Sequence, residues 1–257
     1  MSNAHLVCTA LVGTNKVGDL RADEDGYYTV ILGALDSYNS AGAYYPMAGA
    51  ESVFMDSSSL KRRVASGNCR GEYGHPQRAP GQSVQEHVAR CMRIHEPNIA
   101  FHVSEVWLDA DSIKAPDGRK VVAVMAKIRP CGPQGHVLEA QLRNPKENVC
   151  FSVRALTIDT IVNGVVYKVI KQIITWDYVN EPGIAVATKY HNPSLEGIHE
   201  DVIITPAMIN SAAQPATAAA GISFESSVVS LEEIQAIVKE ASYAPPVGRV
   251  RPASSKW

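Results

Sequence analysis

The stretch Val149-Cys150-Phe151-Ser152-Val153-Arg154-Ala155-Leu156 has the composition of a core β-strand, yet it carries a hydroxyl and a guanidinium. Neither group is buried without a partner. The run continues through Thr157-Ile158-Asp159-Thr160-Ile161-Val162 to Asn163-Gly164, and a second β-branched run follows over residues 165–175. Asn-Gly between two such runs signals a hairpin, since both residues tolerate the positive φ of a type I′ turn. With regular pairing outward from the turn, Val162 faces Val165, Ser152 faces Thr175 and Cys150 faces Asp177. Alternation then sends Cys150, Ser152, Arg154, Thr175 and Asp177 to one side. Asp177 becomes the diagonal neighbour of Ser152, roughly 6–8 Å away between Cα atoms, with room for a third side chain between them. A histidine placed there would complete a Ser-His-Asp relay. Any β-bulge in these long strands would move the register.

At 257 residues and 46% hydrophobic composition, the chain is long and apolar enough for a sizeable core. A net charge of −2 gives no global reason to bind nucleic acid or an acidic membrane surface. Five cysteines (Cys8, Cys69, Cys91, Cys131, Cys150) are scattered, odd in number and without a C-x-x-C pair, which argues against a disulfide framework or a zinc site. The histidines lack paired ligand spacing as well, so no metal and no cofactor are expected. No apolar run approaches a membrane span, and Met1-Ser2-Asn3-Ala4-His5 has no basic leader, so the expected setting is a cytoplasm.

Residues 5–12, 28–35, 98–109, 121–128 and 198–205 read as further strands, and 47–66, 84–95 and 136–143 as helices. The basic Lys61-Arg62-Arg63 reads as a solvated helix end. In Cys69-Arg70-Gly71-Glu72-Tyr73-Gly74-His75-Pro76, two glycines and a proline bracket one histidine, a costly backbone unless the ring's position matters. Beyond Pro206 the Ala-, Ser- and Thr-rich residues 206–229 read as a flexible linker. Residues 230–257 hold a short helix with a capping box, Ser230 to Glu233, and a basic tail carrying Arg249, Arg251 and Lys256. The tail reads as a separable appendage, and 1–205 as the folded domain.

Three motifs stand in order: Gly71-Glu72-Tyr73-Gly74-His75-Pro76, Phe151-Ser152-Val153-Arg154, and Trp176-Asp177-Tyr178-Val179-Asn180-Glu181-Pro182. With the loop from Asn39 to Pro46 and the segment His102-Val103-Ser104-Glu105, the order resembles that of the prohead proteases of tailed bacteriophages, whose fold is similar to the herpesvirus assembly protease, assemblin. The resemblance covers about residues 1–190. It implies an α+β fold, an antiparallel β-barrel surrounded by helices. It implies a serine endopeptidase with Ser152 as nucleophile, His75 as general base, Asp177 orienting the imidazole, Arg154 supporting the oxyanion by helping to hold the water or backbone donors that face it, and Glu72 supporting the loop. The implied substrates are scaffold or core proteins and the major capsid protein, cut inside the prohead in the host cytoplasm. A homodimer is compatible with it, and no membrane or direct nucleic-acid contact is expected. Related enzymes cut after small-x-Glu, a form met by Ser223-Phe224-Glu225 and Ser230-Leu231-Glu232, so Glu225 and Glu232 are candidate self-cleavage sites that would free the tail as a propeptide.

Other readings stand beside this one. Arg154 also suits a structural ion pair. Cys150 shares the face of Ser152 and, beside His75, would make a cysteine protease. A virion or scaffold-binding structural protein on an inactive protease fold would carry the same motifs.

Overall fold

A computed structural model of the chain describes residues 4–11, 22–39, 41–115, 118–144, 147–180, 200–204 and 230–243. The elements run β1 (Ala4–Leu11), β2 (Tyr28–Leu35), β3 (Ser37–Tyr38), β4 (Tyr44–Tyr45), α1 (Ser59–Ala65), β5 (Arg70–Tyr73), α2 (Val84–Cys91), β6 (Ile99–Asp109), β7 (Val122–Pro130), α3 (Gly135–Arg143), β8 (Cys150–Val162), β9 (Val165–Val179), β10 (Glu200–Ile204) and α4 (Leu231–Tyr243). The helix expected over 47–66 is split into a 3-10 turn at Glu51–Phe54 and α1. The break falls at the serine run, where the Ser58 hydroxyl accepts from the Lys61 N–H and starts a new helix. No helix among the described residues is long and apolar enough to cross a membrane.

The strands form one sheet in the order β10-β1-β8-β9-β5-β6-β7-β2, with β4 pairing β9 and β3 pairing β4. An antiparallel barrel was expected, but the sheet is mixed. The short β5 enters between β6 and β9 and runs parallel to β9, as does β4. The sheet curls until β2, at one end of the path, lies alongside β8 and β1. Its concave side holds the main core, including Leu32, Phe101, Ile128, Phe151, Val153 and Trp176. On the opposite face of β8, Leu156 and Ile158 lie under α2 and α4. Residues 150–159 of β8 are buried without interruption, as a strand covered on both faces must be.

The hairpin turn forms as read, with φ of 50° at Asn163, 80° at Gly164, and Val162 opposite Val165. The regular register beyond it does not hold. One bulge lies between Arg154 and Ala155, where Ile174 is the extra residue of β9, and another between Leu156 and Thr157, where Lys171 is extra. Each bulge slips the pairing by one residue. Ser152 therefore faces Asp177, and Cys150 faces Val179, in place of Thr175 and Asp177. The slip is even, so Ser152 and Asp177 keep a common face and become direct rather than diagonal neighbours.

The C-terminal helix is not detached, although residues 230–257 read as an appendage. Ile234, Ile237, Val238 and Ala241 of α4 pack against Val88, Cys91 and Met92 of α2 and against Ile174 of β9. The Ser230–Glu233 capping box forms at its start, and Lys171 pairs with Glu240 at 2.8 Å. The linker 206–229 and the residues after 243 lie outside the described residues.

Gly71 sets how closely β5 can lie on the core. A Cβ there would overlap the Phe101 ring and the Trp176 carbonyl. Gly71→Ala is expected to cost about 2–3 kcal/mol by overpacking, read as a fall in the midpoint of chemical denaturation.

Candidate active site

Three adjacent strands bring the motif residues together. Ser152 on β8 and Asp177 on β9 are paired across the ladder, and Asp177 also pairs in parallel with Glu72 on β5. Gly74 follows β5 with φ of 74°, a conformation open to glycine at little cost, and its N–H donates to the Tyr178 carbonyl at 2.8 Å. The chain thereby turns over the end of the sheet and drops His75 onto the face shared by Ser152 and Asp177.

His75 Nδ1 lies 2.9 Å from Asp177 Oδ2, and the Ser152 hydroxyl is hydrogen-bonded to His75 Nε2. A carboxylate can only accept, so Nδ1 carries the imidazole proton and Nε2 accepts from the serine. Ser152 and Asp177 have no exposed surface, whereas the His75 side chain is 18% exposed. A hydroxyl bonded to an imidazole whose far nitrogen is fixed by a carboxylate is the arrangement that generates a serine nucleophile.

A buried charge network stands behind the imidazole. Arg154 donates to Asp177 Oδ1 and Glu72 Oε1, both at 2.8 Å, and to the carbonyls of Cys91 and Arg93, both at 3.2 Å. Glu72 also accepts from both terminal nitrogens of Arg90, at 3.2 and 2.5 Å, and from the His95 N–H at 2.9 Å. Arg154, Glu72 and Asp177 are fully buried. A guanidinium with no exposed surface and four such contacts does not meet a substrate directly, and the role expected for it, holding the water or backbone donors that face the oxyanion, needs no such contact. The ion pairs of its alternative reading are present, to Glu72 and to Asp177. Glu72, expected to support the histidine loop, stands as the anion between two arginines and accepts from the His95 N–H.

Cys150 is buried opposite Val179, and the two ring nitrogens of His75 are occupied by Asp177 and Ser152, so the imidazole is not offered to the thiol. Asn39 accepts from the Ala43 N–H and closes its own turn, while His102 bonds the Tyr27 hydroxyl. Glu232 is exposed in the first turn of α4, and Glu225 lies outside the described residues. Arg90 and the 93–95 backbone were not singled out from the sequence, for they read as the polar side of an amphipathic helix and its end. Arg63 was assigned to solvent. Its guanidinium instead reaches the carbonyls of Ile173 and Ile174, at 2.7 Å each.

The profile of the peptidase S80 family matches residues 6–237. The chain is 40% identical over 201 residues to the capsid maturation protease of Pseudomonas phage phiKZ, an alignment covering 76% of this chain and 73% of that relative. Among solved structures, the bacteriophage T4 capsid assembly protease superposes with a TM-score of 0.51 at 17% identity, over 70% of this chain and 99% of the other, a likeness of fold. These matches bear out the resemblance drawn from the motifs. The chain belongs to the peptidase S80 family and is a protease.

Neutralising Glu72 would leave Arg90 and Arg154 facing an unbalanced buried site. Glu72→Gln is expected to destabilise the fold by about 3–5 kcal/mol, measured by urea denaturation against the parent chain.

Proposed function

We propose that this member of the peptidase S80 family is a serine endopeptidase of phage head maturation, with Ser152 as nucleophile, His75 as general base and Asp177 as the group that orients it. The observation that carries this reading is the continuous chain of hydrogen bonds from Ser152 through His75 to Asp177. As the Ser152 Oγ adds to the scissile carbonyl carbon, its proton passes to His75 Nε2, and Asp177 stabilises the imidazolium that forms. The same proton then goes to the leaving amine as the peptide C–N bond breaks. Water repeats the sequence in the second half, releasing the acyl group from Ser152. The partly exposed imidazole marks the side from which substrate enters.

Arg154 takes the role of a positioning residue in this scheme, for it fixes the Asp177 oxygen that faces away from His75. The direct donors to the oxyanion are then water or backbone N–H groups, with Arg154 supporting them from behind. The phiKZ relative is named a capsid maturation protease, which supports capsid proteins as substrates; the resemblance of the motifs extends this to scaffold or core proteins and to the prohead in the host cytoplasm. Cleavage after small-x-Glu sequences, including the chain's own, extends the same reading. Of the two candidate self-cleavage sites, Glu225 is favoured. A protease takes its substrate as extended chain, and Glu232 stands in a capped helical turn that would first have to unwind.

Intact-mass measurement on the full chain beside Ser152→Ala tests this. The parent chain is expected to be cut after Glu225, giving the masses of 1–225 and 226–257, with α4 still packed on the core. Ser152→Ala is expected to remain whole, with cleavage of a peptide spanning Ser223-Phe224-Glu225 reduced at least about ten-thousandfold. Equal cleavage by both chains would remove Ser152 from the mechanism. Inhibition of the parent by a thiol reagent, with none by a serine-directed fluorophosphonate, would transfer the role to Cys150.

A further inference from the structure

We infer that Arg63 is a positioning residue for the catalytic site, acting by clamping the β9 bulge that brings Asp177 opposite Ser152. This rests on the triad reading given above and extends it to a residue outside the motifs.

Asp177 reaches its place only because β9 carries extra residues. Without the bulge at Ile174, the ladder between Arg154 and Ser152 would shift by one residue and turn Asp177 away from the serine's face. A bulge disrupts the ladder locally and leaves an extra peptide without a cross-strand partner. At this bulge the two terminal nitrogens of Arg63 donate to the carbonyls of Ile173 and Ile174, each at 2.7 Å. A planar guanidinium fork suits two neighbouring carbonyls, whereas a lysine offers a single point of charge. The contact spans 110 positions of sequence, from the last turn of α1 to a strand on the far side of the domain's chain path.

Two further contacts converge on the same place. The Ile174 side chain is enclosed by α4 and α2, in the cluster that contains Ile234 and Val88. The Thr175 hydroxyl donates to the Arg70 carbonyl at 2.5 Å, tying the residue after the bulge to β5, whose last residues lead to His75. Arg63 therefore holds the backbone of the bulge while α4 covers its side chain. Asp177 lies three residues further along the same strand.

The test compares Arg63→Ala, Arg63→Lys and Arg62→Ala, the last altering an exposed neighbour on α1. Three quantities are read: kcat and KM on the peptide spanning Ser223-Phe224-Glu225, the low-field proton resonance of the His75 Nδ1–H, and thermal stability. Arg63→Ala is expected to lower kcat about a hundredfold with KM within about twofold, as for a small misplacement of a reacting group. It is also expected to shift or lose the Nδ1 proton signal. Methylguanidinium at millimolar concentration should restore part of kcat. Arg63→Lys should fall between, and Arg62→Ala should match the parent chain. Should Arg63→Ala fail to fold, Arg63→Lys decides by the same readings.

An unchanged kcat together with an unchanged proton signal overturns the inference. So does a fall in thermal stability alone, which would mark Arg63 as merely structural. The proton signal is also recorded on the Ser152→Ala background, where no turnover is needed. A failed triad reading, with Ser152→Ala still active, is thereby told apart from a failed role for Arg63.

Discussion

The site depends on one buried contact, the Arg154 guanidinium held between Glu72 and Asp177. Both carboxylates and this guanidinium have no exposed surface, and burying any of them alone would cost several kcal/mol. Arg90 supplies the second positive charge, so two anions and two cations meet and balance. Such a group is stable only when every member is present and well placed. It therefore fixes four elements against one another: β5 through Glu72, β8 through Arg154, β9 through Asp177 and α2 through Arg90.

That constraint explains why β8 is covered on both faces. Phe151 and Val153 fill the concave core, while Ser152 and Arg154 point the other way, where an exposed sheet would put water. Water beside Arg154 would weaken its pull on Asp177 through the higher local dielectric. The α2 segment prevents this and supplies acceptors for one terminal nitrogen of the guanidinium, the carbonyls of Cys91 and Arg93. The apolar side of α2 is closed in turn by α4. A C-terminal helix far from the motifs in sequence thus belongs to the wall around the site.

Much of this was legible in the sequence, and the failures have physical causes. Asn163-Gly164 fixed the hairpin because few residue pairs accept two successive positive φ values. The common face of Ser152, Arg154 and Asp177 survived the wrong register because two bulges slip it by an even number. The bulges themselves were hidden, since Lys171 and Ile174 are ordinary strand residues and nothing local marks them as extra. The parallel pairing of β5 was hidden too, for a four-residue strand carries no sign of its direction. Arg63 was misread because helix-end arginines are usually solvated. Only the fold shows that this one reaches two carbonyls of another strand. The inward course of Arg154 was hidden for a related reason, since facing the serine's side of a sheet does not decide whether a long side chain runs to the surface or turns inward.

The charge balance also bears on how the imidazole works. Arg154 shares one oxygen of Asp177, and left to itself it would compete with His75 for that carboxylate's field. Glu72 offsets the competition by taking the same Arg154 nitrogen, and Arg90 in turn offsets Glu72. The network is neutral with a neutral imidazole, so a proton arriving on His75 meets the Asp177 charge without a standing excess of either sign behind it. Arg154 is then best understood as a fixed strut. It holds the carboxylate plane where Oδ2 meets Nδ1, and the two flanking ions keep that strut from setting the field at the histidine by itself.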